Sequence, residues 1–597
     1  MRKIHCLLVL AACLALAACD TAVNVDATSN VTANYSSVLV TVKEVWVNES
    51  ATAAPEDTTW QKFPLDEPET LDLVDATSGT LKQLATELAL PAGTYHQMRL
   101  ILADRTESLT ESADSASATY NDQVTYLDAD GNSVTLPLEL ANPAQGIGIE
   151  MELKVPAATE AILAALSSSS ATSTTSTSTS LTDTSTDTST DSSTSTDTST
   201  STARATATAL SDTNTVTATA DIVFDAARDL TEFTFSDQRG FLLNPTLKAY
   251  DPKSVGTIQG ALDVSLLTFA SDGTGRPDVQ VTAEGLNDDG TRRVIIGSAP
   301  VQSDGNFVLY PLPLATDKST TTTTYDLVIH GPNIRTIIIR SVPVTKGAPA
   351  NATDIALGTL TLDAADSYAV NLAADSTVTQ RGSRVAFYQS LPDDAVPYLI
   401  ELRTVDPISG QFASDQFVSG SSTLLYGTYA TSFSFAVAAP QEGASRYAVA
   451  AIDPLYGNGS YSETLLAPPS VTTGTAPFTV PAIELPSEAA AGTISATISV
   501  GTAGKYDKGT LVITHNGAVV ATSSLDDALA SGAAAPVVTV TNIPASNAAS
   551  SFDQGLYYAE AWVWNSSDAA ETFVRQAGAG VIDLRSTLTG TASVTLN

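Results

Sequence analysis

The chain has 597 residues, with 28 Lys and Arg against 65 Asp and Glu, a formal net charge of −37. That balance excludes the basic surface a nucleic-acid partner needs. Hydrophobic residues make up 43%, which excludes global disorder and predicts several folded domains.

Arg2 and Lys3 precede an apolar run from Cys6 to Ala18. The run falls short of the roughly 20 residues a spanning helix needs, and it ends in small residues as an export signal does. Its last residues, Leu16-Ala17-Ala18-Cys19, resemble the bacterial lipobox. The resemblance implies a signal peptide over 1–18, diacylation of the Cys19 thiol, and a lipidated tether over 19–29. Cys6 and Cys13 lie in the removed segment, so no thiol would remain for disulfides, metal ligation or nucleophilic catalysis. Several acyl chains would hold the protein stably to a membrane of the bacterial cell envelope. Asp20 resembles the inner-membrane retention signal of enteric lipoproteins, and both the inner and the outer membrane stay open.

Strand patterns follow. Val38, Val40 and Val42 alternate with Leu39 and Thr41, and β-rich runs recur at 279–282, 336–339, 537–540 and 561–563. Asp130-Gly131, Asp272-Gly273, Asp289-Gly290, Asp304-Gly305 and Asn516-Gly517 separate such runs, and these dipeptides suit hairpins whose turns need positive φ. One short helix is predicted over Ala157–Leu166, after Pro156. The expected fold class is all-β, built as serial β-sandwich modules.

A Ser/Thr-rich insertion occupies about 167–215. From Ser167 to Thr202, 30 of 36 residues are Ser or Thr, so ordering them would cost chain entropy with no burial to offset it. A disordered tether is expected, either an O-glycosylated stalk or an expansion within a surface loop.

Residues 30–250 carry Val38-Leu39-Val40-Thr41-Val42, Trp46, Trp60 and the stretch from Leu90 through Pro91-Ala92-Gly93-Thr94-Tyr95 to Leu100. Asp221-Ile222-Val223-Phe224-Asp225 and Phe241 through Leu247 close the region. This segment resembles the bacterial lipoprotein domain of unknown function 4382, which implies a β-sandwich-like shape and no settled activity. Within it, Tyr95, Gln97 and Arg99 share one strand face. Residues 254–362 contain Gly256-Thr257-Ile258, Pro277-Asp278-Val279, Ser303-Asp304-Gly305-Asn306-Phe307 and Tyr325-Asp326-Leu327. They resemble a carboxypeptidase-regulatory-like, prealbumin-type sandwich, a class often labelled carbohydrate-binding-like. Residues 363–485 and 486–597 read as two further sandwich-like modules, parted near Leu485-Pro486.

The chemistry-bearing residues are sparse. His96, His330 and His515 stand far apart, with no His-Glu-x-x-His helix, nucleophile elbow or phosphate-cradling loop. Asp128, Asp130 and Asn132 place alternate oxygens as a calcium loop does, yet the same residues suit a hairpin tip. Neighbouring acids such as Asp393-Asp394 and Asp526-Asp527 read as solvated. Trp562 and Trp564 project from one strand face, with Tyr557 and Tyr558 just before them. Trp562, Trp564 and Tyr558 could stack on a sugar ring or fill a partner's pocket, or they could be sandwich core.

The expectation is a membrane-anchored envelope lipoprotein acting as a non-catalytic binding or spacer protein. Its ligand would be a glycan or an envelope protein, with no cofactor. The alternative is a glycan-active hydrolase using paired carboxylates.

Overall fold

The computed structural model describes residues 21–156 and 217–597. It excepts 32–34, 110–117, 268–276, 316–321, 348–355, 374–383, 419–423, 431–434, 439–446, 453–463, 467–477, 481–490, 546–554 and 568–572, with one- or two-residue gaps elsewhere. The signal peptide, Cys19, the helix over 157–166, the Ser/Thr insertion, Asp272-Gly273, Asp393 and the Leu485-Pro486 junction lie outside the described residues. The chain is all-β, with strands arranged in several sheets. Its described α-helices are the short Ala226–Asp229 and Asp526–Ala530, and none is long and apolar enough to cross a membrane.

Two compact units emerge. Of the described residues, the smaller takes in 21–24, 85–94, 154–156 and 217–219, and Thr21–Ser29 forms a strand in place of the tether expected over 19–29. Within this unit the Thr21 hydroxyl donates to the Pro156 carbonyl at 2.8 Å, and the Glu87 N–H donates to Asn24 Oδ1 at 3.0 Å. The larger comprises 25–84, 95–153 and 220–597 and holds the main cores.

Strand Ser37–Asn48 organises an eight-stranded sheet, pairing antiparallel with Gln61–Asp72, Gly93–Leu102 and Gln123–Leu127. The order then runs through Ser133–Leu140 and Gln238–Leu243 to Leu230–Phe235. Val38, Val40 and Val42 are buried, as their alternation requires. Thr41, on the opposite face, is buried too. Its Oγ1 donates to Asn121 O at 2.6 Å and its N–H to Asp122 Oδ1 at 2.8 Å. A strand covered on both faces accepts a polar residue when its hydrogen bonds are met.

In the next module, Val255–Leu262 and Asn306–Pro313 pack against a sheet ordered Arg293–Pro300, Gln280–Leu286, Thr324–His330, Thr336–Pro343. That sheet continues past residue 362. Leu424–Thr428 adds parallel to Thr336–Pro343, followed by Ala436–Ala438, and Leu425 enters the same core. The module's β-structure therefore draws on the 363–485 segment, whose remaining strands form two smaller sheets.

The last module pairs Val537–Pro544, Ala491–Val500 and Thr589–Leu596 in one sheet. Facing it are Ala518–Ser524, Lys508–His515, Leu556–Trp564 and Val574–Ala577. Ile494, Ala496 and Ile498 point into the core while Thr493, Ser495 and Thr497 stay partly exposed, the period-2 pattern of a half-buried strand. Asn516 and Gly517, at φ 51° and 79°, close the hairpin between His515 and Ala518. Two successive positive φ values are what a type I′ turn requires.

The first and last modules share a core. Ala141, Phe233, Phe235 and Leu242 pack with Val512, Val519, Trp562, Trp564 and Phe573.

Candidate functional site

Strand Leu556–Trp564 is buried along its whole length. Its odd residues Tyr557, Ala559, Ala561 and Val563 fill the last module's own core. Its even residues look the other way, toward the first module. Trp562 is 0% exposed, Trp564 7% and Tyr558 9%, which favours the packed reading of these residues over the open, sugar-stacking one. Trp562 stands 5.7 Å from Phe233 and 5.1 Å from Phe573, and Trp564 lies 6.0 Å from Phe235. The Tyr558 hydroxyl meets Glu56. Rings packed this way have no face left for a sugar. The spacing correctly placed both tryptophans on one side of a strand, but the face they cover is an inter-module seam.

Glu560 shares that face and anchors an ionic network. Its carboxylate accepts from Arg575 Nη2 at 3.0 Å, the Asn142 N–H at 2.9 Å and Trp562 Nε1 at 3.0 Å. Arg575 Nη1 also reaches Glu139 at 3.3 Å, and Arg105 pairs with the same Glu139. Burial raises the Glu139 carboxyl, with Arg575 and Arg105 opposing it. Burial alone would lower the Arg575 guanidinium, but Glu560 and Glu139 outweigh it and raise it. Two acids and two bases thus neutralise each other at the seam. Nearby, Asn516 grips Gly148 from both sides, its Oδ1 accepting the N–H at 2.7 Å and its Nδ2 donating to the carbonyl at 2.9 Å. In sequence the one sign of this network is a glutamate inside an aromatic strand.

Asp128 spends its carboxylate on its own turn. Oδ1 accepts the N–H of Asp130 at 2.9 Å and of Asn132 at 2.8 Å, which holds the Asp128 pKa below the ordinary range. The triad Asp128, Asp130, Asn132 is a hairpin tip between Gln123–Leu127 and Ser133–Leu140. No group of three or more metal-ligating His, Cys, Asp or Glu side chains occurs among the described residues.

The histidines stay apart. His96 is half-buried. His515 is buried, its Nδ1 2.8 Å from the Leu556 carbonyl; burial pushes its pKa down to about 4, with the Arg99 charge adding to the shift. His330 Nδ1 lies 2.8 Å from Thr336 Oγ1, and Nε2 lies 3.0 Å from Glu401. Burial would raise Glu401, but Arg403 and His330 together hold it below its ordinary value. His330, Glu401 and Arg403 line a narrow cleft with Arg228, Gln280 and Thr282. Tyr95, Gln97 and Arg99 share a face as expected, and all three are fully buried.

Another constellation was not legible in sequence. Arg293 lies against Asp326, 3.2 Å from Asp394 and 2.8 Å from Tyr398 Oη. That hydroxyl is 3.1 Å from Asp326 and 2.7 Å from Asp394. Asp394 is therefore tied into the interior and not simply solvated. Asp526 accepts from Lys508 Nζ at 2.7 Å in a pair whose side chains both stay open to solvent, as the solvated reading expects.

Among solved structures, the chain is similar to the shaft pilin SpaA of Lactobacillus rhamnosus GG at 11% identity. That likeness has a TM-score of 0.15 and covers 39% of this chain and 99% of that one. It is similar to a streptococcal ancillary pilin at 7% identity, TM-score 0.11, over 57% and 99% of the two chains. It is also similar to BcpA, the major pilin subunit of Bacillus cereus, at 9% identity and TM-score 0.10, again over 57% and 99%. Likenesses with TM-scores this low bear on neither the activity nor the partners of this chain. No curated protein matches the chain. Residues 20–245 match the family described as Domain of unknown function (DUF4382), in agreement with the resemblance of the first module.

Proposed function

We propose that this chain is a non-catalytic protein of the bacterial cell envelope, held to a membrane by acyl chains on Cys19, whose modules bind or space other envelope components. The observation that carries the reading is how the buried charges are used. Arg575 joins Glu139 to Glu560, Arg293 joins Asp326 to Asp394, and Arg384 meets Asp229 at 2.8 Å. Each cluster ties together residues far apart in the chain. An ionisable group locked to a fixed partner serves rigidity better than proton transfer to a substrate. The lipobox supports the membrane anchor. The resemblance of residues 254–362 to carbohydrate-binding-like sandwiches supports a glycan held on module loops, with an envelope protein as the other ligand class. Intact-mass spectrometry of the native protein checks the anchor: an amino terminus at acylated Cys19 is expected, and an unprocessed, unacylated start rejects it. A glycan array and a pull-down with the whole protein test ligand binding, and silence in both leaves spacing alone.

A further inference from the structure

Among the described residues, strand Val537–Pro544 forms one edge of its sheet, with Ala491–Val500 as its neighbour. The Pro536 carbonyl accepts from the Ile498 N–H at 2.9 Å and the Ala534 carbonyl from the Val500 N–H at 3.0 Å, so even-numbered residues here face the neighbouring strand. By antiparallel alternation, the N–H and C=O groups of Val537, Thr539 and Thr541 point away from it. The same three side chains are exposed, Val537 at 61%. All three are β-branched, the residue type that favours extended pairing. The opposite edge of the sheet is covered: the Ala579 N–H donates to Ser593 O at 3.1 Å, and Gly578 bridges Val594.

An exposed edge is usually blunted by charge, by proline or by a β-bulge. This strand has its bulge and its proline only past Thr541, with Asn542 at φ 60° and Pro544 at its end. Here the chain carries no Asp, Glu, Lys or Arg from Ala528 to Phe552, although its net charge is −37. Like copies repel wherever that charge is displayed. This uncharged edge is a place where two copies can approach without bringing like charges together.

We propose that Val537, Thr539 and Thr541 form a self-association edge, pairing antiparallel with the same strand of a second copy of this chain. A two-fold axis at Thr539 sets Thr539 opposite its counterpart and Val537 opposite the second copy's Thr541. The three pairs exchange about six backbone hydrogen bonds, and the β-branched side chains meet directly across the seam.

Sedimentation velocity on the full chain in non-ionic detergent tests the pairing. A concentration-dependent dimer is expected for the wild type. Thr539→Lys sets two like charges across the axis and should weaken the dimer a few-fold, up to about fivefold, as should Thr539→Glu. An equimolar mixture of the two variants should restore it, which also shows that both remain folded. Thr595→Lys, exposed on the other edge strand, should leave it unchanged. A wild type that stays monomeric, a dimer indifferent to Thr539→Lys, or a mixture that fails to reassociate overturns the proposal.

Discussion

Arg575, its side chain partly exposed, sits between the buried Glu139 and Glu560. Removing it leaves Glu560 in a low-dielectric seam without its counter-charge and Glu139 with Arg105 alone. Arg575→Ala should therefore cost about 3–5 kcal/mol in urea unfolding. Lys43→Ala breaks the more open Lys43–Glu107 pair and should cost under about 1 kcal/mol in the same measurement. Trp562→Ala should cost about 3–5 kcal/mol, because Phe233 and Phe573 lose a ring they pack against. A near-neutral Trp562→Ala would mean the ring is dispensable to the seam. At this scale the sequence was half legible. Period-2 spacing put Trp562 and Trp564 on one face, but spacing says nothing of what lies opposite.

Strands carry the pH dependence, because they bury single titratable groups. His515, on Lys508–His515, has its pKa lowered to about 4 from an ordinary 6.5 by burial. Between those values the unfolded chain binds the proton that the fold excludes. Stability from this group is present above about 6.5 and is lost as pH falls toward 4, by roughly 3 kcal/mol. Asp221, on Thr217–Phe224, runs the other way. Burial raises its carboxyl to about 6, against the Tyr310 hydroxyl that donates to it at 2.5 Å. Its contribution is complete below the ordinary 3.8 and is lost as pH rises toward 6. Unfolding free energies of wild type minus His515→Asn, measured from pH 7 to 4, should show the first slope, and wild type minus Asp221→Asn the second. A flat difference for either removes that group from the account. The hairpins belong to this scale too. Asn516-Gly517 and Asp128–Asn132 close turns that their residue chemistry announces, since positive φ and side-chain capping of the turn are local demands.

Across the whole molecule, the last module docks on the first through Phe233, Phe235, Trp562, Trp564 and Phe573, with Arg575 beside them. Modules that share a core and an ionic network should lose structure together. Two variants separate the signals. Trp562→Phe with Trp564→Phe reports on Trp46 and Trp60, and Trp46→Phe with Trp60→Phe reports on the last module. Each unfolding curve should be shared between the fluorescence of its tryptophans and far-ultraviolet circular dichroism. A fluorescence transition displaced from the dichroism one would mean beads unfolding separately.

Period-2 alternation, turn dipeptides and the absence of long helical patterns determined the all-β class from sequence alone, because each is a local property of a few neighbouring residues. The residues that resemble DUF4382 likewise marked the region that the family match covers. Only the tertiary structure decided that Leu424–Thr428 extends the sheet of the preceding module, and that Glu139 meets Arg575, 436 positions away. The reason is physical. An ion pair or an added strand is selected by which surfaces come together on folding, and no short-range pattern records a partner so distant in the chain.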